Sequence, residues 1–321
     1  MLIVEYVNHQ VFTYGTGEPS DLKREPSAVT IGSFDGVHIG HRRIISRMLS
    51  VAQQRSLRSV VITFEPHPRK VLKNETTGFF GLLTTLEEKI ELLRQQQVDL
   101  LVIVRFTREF AARSSEDFIC NVLVRLIGAK SIVVGYDHGF GSNRSGSGKT
   151  LAHIGEELGF DVEIIDEVRI GQEHFSSTRI RRLLEAGMIA EANEFLGSPY
   201  MISGTVIDGD KRGREIGFPT VNLKLSDPDK LLPQAGVYAA RTMVEGISRV
   251  AMMNIGFRPT VSSENIRTIE AYILGFSGDL YGEHLRFTLS GFIREEKKFD
   301  NIEQLKAQLE KDKKTVESYY Y

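Results

Sequence analysis

The chain has 321 residues, 41% of them apolar, a formal charge of −2 and a single cysteine, Cys120. That length suits two domains better than one, and the near-neutral charge removes the electrostatic case for nucleic acid as the main partner. One cysteine excludes an internal disulfide, and neither a basic leader nor an apolar run long enough for a bilayer is present, so a cytoplasmic chain with no membrane partner is expected.

From Val29 to Val168, short β-branched runs alternate with amphipathic ones. Val29 and Ile31, Val60–Phe64, Leu100–Val104, Ile132–Val134 and Val162–Ile165 read as buried parallel strands. After the first of them, Ile44, Ile45, Met48, Leu49 and Ala52 share one helical face. Thr85 and Glu88 stand in capping-box spacing ahead of Ile90, Leu92 and Leu93, and another helical stretch runs from about Glu109 to Leu126. The alternation predicts an α/β domain, a doubly wound parallel sheet whose ligands sit at the carboxyl ends of the strands.

The first strand, taken as the first of the sheet, leads into Gly32-Ser-Phe-Asp-Gly-Val-His-Ile-Gly-His41. At a strand-to-helix turn, glycines admit a ligand close to the backbone, and the free N–H groups of the helix favour a phosphate. His38 and His41 can donate hydrogen bonds to a polyphosphate as charge builds on it, which points to nucleotidyl transfer. Asp35 with the two histidines could instead form a metal site, but the region offers too few soft ligands for zinc, and phosphate contact is preferred.

Three more segments fall at strand ends or helix starts. These are Phe64-Glu-Pro-His-Pro68, Gly135-Tyr-Asp-His-Gly-Phe-Gly141 and Ser176-Ser-Thr-Arg-Ile-Arg181. Each alone fits an ordinary turn or cap; their shared placement is what joins them. Gly146-Ser-Gly-Lys-Thr150 imitates the end of a P-loop, yet Asn143 stands where the first glycine is required, and that reading is rejected.

After about Gly197 the pattern changes. Ser203–Ile207, Val237–Met243, Arg249–Ile255, Thr268–Leu274 and Leu285–Leu289 read as strands with glycine-rich turns and no helix between them, an antiparallel meander or small closed barrel. A terminal helix follows, with Asp300 and Glu303 in capping positions and Ile302, Leu305 and Leu309 on one side. The expected domains are 1–187 and 188–321.

Within the second half, Gly209-Asp-Lys-Arg-Gly-Arg-Glu-Ile-Gly-Phe-Pro-Thr-Val-Asn222 is either a loop folding over phosphates or a basic surface hairpin. Thr220 and Asn222 alternate along an extended segment, so their oxygens face one side and suit Mg²⁺. Glu270 is either an outward-facing strand residue or a carboxylate at a barrel mouth acting as general base.

The decapeptide at 32–41 resembles the G-x-F-D-G-x-H-x-G-H signature of bacterial FAD synthetases, nucleotidylyltransferases marked by H-x-G-H, and Ser176–Arg181 is similar to the second signature of that superfamily. Gly209–Asn222, Gly236-Val-Tyr238, Asn254–Thr260, Leu280-Tyr-Gly282 and Arg294–Phe299 resemble riboflavin kinase segments. The resemblance, to the bifunctional riboflavin kinase/FAD synthetase family, covers nearly the whole chain. It implies ATP and Mg²⁺, riboflavin and FMN as substrates, FAD synthetase activity in 1–187 and kinase activity in 188–321. It also implies ATP phosphates held around Gly32, Phe34, Asp35 and Gly40, with His38 and His41 at the α-phosphorus and Ser177, Thr178 and Arg181 on the leaving pyrophosphate. Phe64, His67, Pro68 and Asp137 would line the flavin site. In the kinase half it implies Gly213 and Gly217 against ATP, Thr220 and Asn222 on Mg²⁺, and Glu270 as base. The chain departs from the family pattern at His138, where phenylalanine is usual, and at Tyr272 and Gly275. A kinase whose N-terminal domain has another nucleotidyl acceptor or has lost activity, and a non-catalytic flavin sensor, are the competing readings. Intact His38, His41 and Ser177–Arg181 argue against loss, and the joint presence of Thr220, Asn222 and Glu270 argues against the sensor.

Overall fold

A computed structural model describes residues 1–72, 79–136, 139–140, 146–167, 169–170, 173–209, 212–259 and 265–320. The chain forms two compact units: Met1–Phe80 with Lys89–Ser176, and Gly81–Glu88 with Ser177–Tyr321.

In the first unit, β1 (Leu2–Val7), β2 (Gln10–Thr13), β3 (Ser27–Ile31), β4 (Arg58–Glu65), β5 (Leu100–Arg105), β6 (Ala129–Gly135) and β9 (Asp161–Ile165) make one sheet. Between its last two strands, β7 (Gly139–Phe140) and β8 (Gly146–Ser147) pair as a small ladder; β10 (Arg169–Ile170) and β11 (Glu173–His174) form another. The sheet order is β2-β1-β5-β4-β3-β6-β9, parallel except for the edge strand β2. The doubly wound reading therefore holds, with one correction. Leu2–Val7 precedes the strands taken from the sequence, so the decapeptide follows the third strand and not the first. Val4 and Tyr6 are buried, and they join Val29, Ile31, Val60, Ile62, Val102 and Ile132 in one core.

The helix Ile39–Arg55 packs over β3, β6 and β4 through Ile45, Met48, Val51 and Ala52. The stretch from Glu109 to Leu126 is not one helix. It is broken after Ala111, where Ser114 restarts it by accepting from the Asp117 N–H at 3.1 Å, and it continues as a π-helix over Ile119–Ile127.

The second unit is a closed barrel of β12 (Tyr200–Ile207), β13 (Thr220–Leu225), β14 (Gly236–Val244), β15 (Ile247–Pro259), β16 (Asn265–Ile273) and β17 (His284–Arg294), in the order β12-β13-β16-β15-β14-β17. Inward alternation buries Ile269, Ala271 and Ile273 on β16 and Leu285, Phe287 and Leu289 on β17. A short helix, Arg212–Glu215, interrupts the β12–β13 connection, which the sequence reading left without one. The terminal helix Ile302–Ser318 is capped by Asn301, which accepts from the Gln304 N–H at 2.9 Å, and not by Asp300. Ile302 is 51% exposed, so the packing seam runs later, through Leu309, buried Asp312 and Val316, with Asp312 paired to Arg294 at 2.7 Å.

The segment 81–88 is tied into the second unit. The Leu82 N–H donates to Asp229 O at 2.7 Å, and the Leu231 N–H donates to Leu82 O at 2.8 Å. Lys230 Nζ donates to Leu83 O at 2.6 Å and to Glu88 Oε2 at 2.7 Å, with both charged side chains fully buried. Its ammonium also lies 4.2 Å from the centre of the Tyr200 ring. Glu88 completes the capping box foreseen with Thr85 at 3.0 and 3.3 Å. Among the described residues, no helix is long and apolar enough to cross a membrane.

Candidate active sites

In the first unit the turn after β3 is held by backbone that few residues adopt. Phe34 has φ 45°, Gly36 87° and Val37 41°, and Val37 is fully buried. A β-branched residue at positive φ is an outlier that persists only where its surroundings impose it. The Gly32 N–H donates to Ile62 O at 3.0 Å, seating the turn at the carboxyl end of β4, and Arg42 Nε donates to Val37 O at 2.9 Å.

His38 is the N-cap of the helix Ile39–Arg55, and its Nδ1 accepts from the His41 N–H at 3.4 Å. With Nδ1 used as an acceptor, the proton of neutral His38 lies on Nε2. The rings of His38 and His41 stack at 3.6 Å, and Phe34 meets His41 edge-on at 5.2 Å. His38 and Asp35 are buried. Burial, followed by the charges of His38, Lys89 and His67, holds His41 well below the usual imidazole range, so it is neutral at pH 7. Its Nδ1 is buried without a hydrogen-bond partner among the described residues. A Cβ at Gly40 would lie 3.2 Å from the His38 ring and 3.5 Å from Phe175 Cβ; only glycine leaves the stack undisturbed. Two imidazoles and the first N–H groups of a helix thus converge at one strand end.

Beside this turn, His67 is buried, accepts the Arg69 N–H on Nδ1 at 3.1 Å and packs 4.9 Å from the Phe80 ring. Pro68 opens the helix Pro68–Leu72. Phe64 is half-buried, 5.6 Å from Phe106 and within reach of Phe110 and Phe118. Sequence reasoning passed over Lys89 and Glu65. Lys89 Nζ lies 3.7 Å from Glu65 Oε2 and 3.5 Å from Phe64 O, with its side chain 3% exposed. Glu65, inside the quoted Phe64–Pro68 segment, could have signalled it; a lysine on an amphipathic helix could not. Asp137 and His138 lie outside the described residues.

Ser177, Thr178 and Arg181 sit on the helix Ser177–Glu185, which belongs to the second unit. Arg181 is buried and donates from Nε to Gly81 O at 2.7 Å.

In the barrel, strand register brings the kinase-half residues together. Glu270 on β16 stands directly opposite Asn222 on β13 and Asn254 on β15, and Thr220 stands opposite Tyr272. Directly paired residues share a face, so Asn222, Glu270 and Asn254 form a polar row, with Thr220 two positions along. That face is the outer one, because Ile269 and Ala271 point inward, and Glu270 is half-buried on it. The same side carries Phe218 and Tyr272, whose rings meet at 5.1 Å. The loop is folded back on itself: the Phe218 N–H donates to Gly213 O at 2.8 Å, and a Cβ at Gly213 would fall 2.2 Å from Phe218 O. Gly217 has φ 84°, and a Cβ on Gly209 would strike the Asn222 carboxamide at 1.9 Å. The pattern favours a fitted loop over a basic surface hairpin.

Residues 20–179 match the family model described as FAD synthetase, and residues 196–320 match riboflavin kinase. The chain is 38% identical over 315 residues to a bifunctional riboflavin kinase/FMN adenylyltransferase of Listeria monocytogenes, covering 98% of this chain and 97% of that one. It is 36% identical to the Escherichia coli protein of the same description, covering 94% and 95%. Among solved structures, it is similar to a Streptococcus pneumoniae chain described as a macrolide-efflux protein, at 29% identity and a TM-score of 0.86, with 99% of each chain covered.

Proposed function

The chain belongs to the bifunctional riboflavin kinase/FMN adenylyltransferase family, and on that premise we propose how its residues divide the two reactions. The C-terminal domain phosphorylates riboflavin to FMN with ATP, and the N-terminal domain adenylylates FMN to FAD, releasing pyrophosphate. We assign these activities to 188–321 and 1–187. The single cysteine supports a cytoplasmic setting.

At the turn after β3, the N–H groups opening the helix and the backbone around Gly32, Phe34, Asp35 and Gly40 receive the ATP phosphates. His38 donates through Nε2 and His41 as a neutral imidazole to the oxygens of the α-phosphorus as charge gathers there. The FMN phosphate oxygen attacks that phosphorus, the bond to the pyrophosphate oxygen breaks, and no covalent enzyme intermediate is needed. Phe64, His67 and Pro68 line the flavin side, and Asp137 keeps its place there by resemblance. Ser177, Thr178 and Arg181 take the leaving pyrophosphate; the second signature supports this.

In the kinase domain Glu270 accepts the proton of the ribityl 5′-hydroxyl as its oxygen attacks the γ-phosphorus of ATP. Gly213 and Gly217 let the loop close over the phosphates. Among the described residues no group of three or more His, Cys, Asp or Glu is placed to hold a metal. The donors on hand, the Thr220 hydroxyl and the Asn222 carboxamide oxygen, fit Mg²⁺ bound mostly through phosphate and water. When bound there it would neutralise charge on the transferring phosphoryl group.

The observation that carries this division is the polar row Asn222–Glu270–Asn254 in one unit and the stacked His38–His41 pair in the other. Chromatography of an incubation with riboflavin, ATP and Mg²⁺ tests it. The wild-type chain yields FMN and FAD; riboflavin returned unchanged would favour a flavin sensor, and FMN alone a different nucleotidyl acceptor.

A further inference from the structure

Among the described residues of the first unit, Lys89 is the only lysine or arginine that is buried. Its partners do not hold it closely. The ammonium can donate three hydrogen bonds, yet its nearest oxygens among the described residues, Phe64 O and Glu65 Oε2, lie at 3.5 and 3.7 Å. The fully buried Lys230 of the other unit shows what a closely held ammonium looks like, with oxygens at 2.6 and 2.7 Å. A buried charge without close partners is costly unless a ligand completes its shell.

Its position says which ligand. Phe64 and Glu65 end β4, the strand beside β3, so the ammonium faces the carboxyl end of the sheet where ligands bind. The His38–His41 turn is near enough for the charge of Lys89 to disfavour a proton on His41, and the same imidazole feels His67, which packs 4.9 Å from the Phe80 ring. Burial lowers the affinity of Lys89 for its own proton, while Glu65 and Asp35 help keep it. The adenylylation brings an anionic phosphate nucleophile against an anionic α-phosphate. The imidazoles and helix N-terminus serve the ATP side, and a loosely held cation on the flavin side is what the nucleophile lacks.

We propose that Lys89 binds the phosphate group of FMN, the acceptor of the adenylyl transfer, and holds it against the α-phosphorus of ATP. This rests on the reading of the His38–His41 turn as the adenylylation site.

The test compares the wild-type full-length chain with Lys89→Met, Lys89→Arg and Lys89→Met/Glu65→Gln, varying FMN and ATP separately and using inorganic phosphate as a competitor. A charge-assisted contact to phosphate implies a rise of about 10- to 100-fold in KM for FMN in Lys89→Met, with KM for ATP unchanged. Inorganic phosphate should compete with FMN in the wild type and lose that competition in the variant, and Lys89→Arg should recover most of the affinity. An unchanged KM for ATP in the adenylylation, rather than riboflavin phosphorylation in the other unit, reports that the first unit of the variant is folded. An unchanged KM for FMN, or an equal rise for ATP, would overturn the proposal. So would recovery in Lys89→Met/Glu65→Gln, because Lys89 would then only neutralise Glu65. If instead the His38→Ala/His41→Ala variant made FAD normally, the site reading itself would fail, a result separate from any of these.

Discussion

Replacing Lys230 by methionine probes what fastens 81–88 to the second unit. Its ammonium donates at 2.6 Å to Leu83 O and at 2.7 Å to Glu88 Oε2, and neither charged side chain has any solvent exposure. Lys230→Met leaves the Glu88 carboxylate buried with the Thr85 N–H as its hydrogen-bond donor and strips Leu83 O of the ammonium. Removing one partner of a buried pair costs about 3–5 kcal/mol, because the other charge stays desolvated. For a unit of this size that is roughly a 10 °C fall in the midpoint of thermal unfolding. Calorimetry of the full chain, with riboflavin kinase activity followed on heating, reads the change directly. The double variant Lys230→Met/Glu88→Gln should regain about 2 kcal/mol or more, since a neutral glutamine keeps the capping bond without a buried charge. A single variant within about 1 kcal/mol of wild type would show that the pair is solvated or replaceable, and would refute the reasoning.

Two further outcomes concern the first unit. Gly40→Ala places a Cβ 3.2 Å from the His38 ring, and the displaced imidazole should lower kcat/KM for adenylylation about 100-fold while riboflavin phosphorylation stays at the wild-type rate. His41 binds its proton less readily folded than unfolded, so between pH 6.5 and its lower folded value the unfolded state takes up the extra proton. Stability is therefore lost as pH falls below about 6.5, with a slope of up to about 1.4 kcal/mol per pH unit from this group, and urea unfolding of His41→Asn should show a shallower acid-side decline.

The turn and the barrel were legible for different reasons. The 32–41 stretch concentrates glycine and histidine where a β-branched run gives way to a helical one, and local chemistry of that density survives folding. The barrel strands announce themselves by alternation, and the same alternation places Glu270 on the outer face. What the sequence concealed lies in charges that fold inward. Lys89 and Glu88 sit on an amphipathic helix where charge ordinarily means solvent, and Lys230 follows a surface-like Asp-Pro-Asp; only contacts distant in sequence bury them. Leu2–Val7 was missed because the two-residue turn that follows it, Asn8-His9 at positive φ, has histidine where glycine would mark a hairpin, and the Ser114 cap broke a stretch whose apolar period alone reads as continuous.

The central claim is that two independent sites act in sequence, one centred on Glu270 and the other on His38 and His41. The most direct measurement gives riboflavin, ATP and Mg²⁺ to Glu270→Ala, to His38→Ala/His41→Ala, and to an equal mixture of the two proteins. Glu270→Ala should return riboflavin yet convert added FMN to FAD, the histidine variant should stop at FMN, and the mixture should make FAD from riboflavin. Loss of both activities in either variant, or a mixture that makes no FAD, would contradict the account.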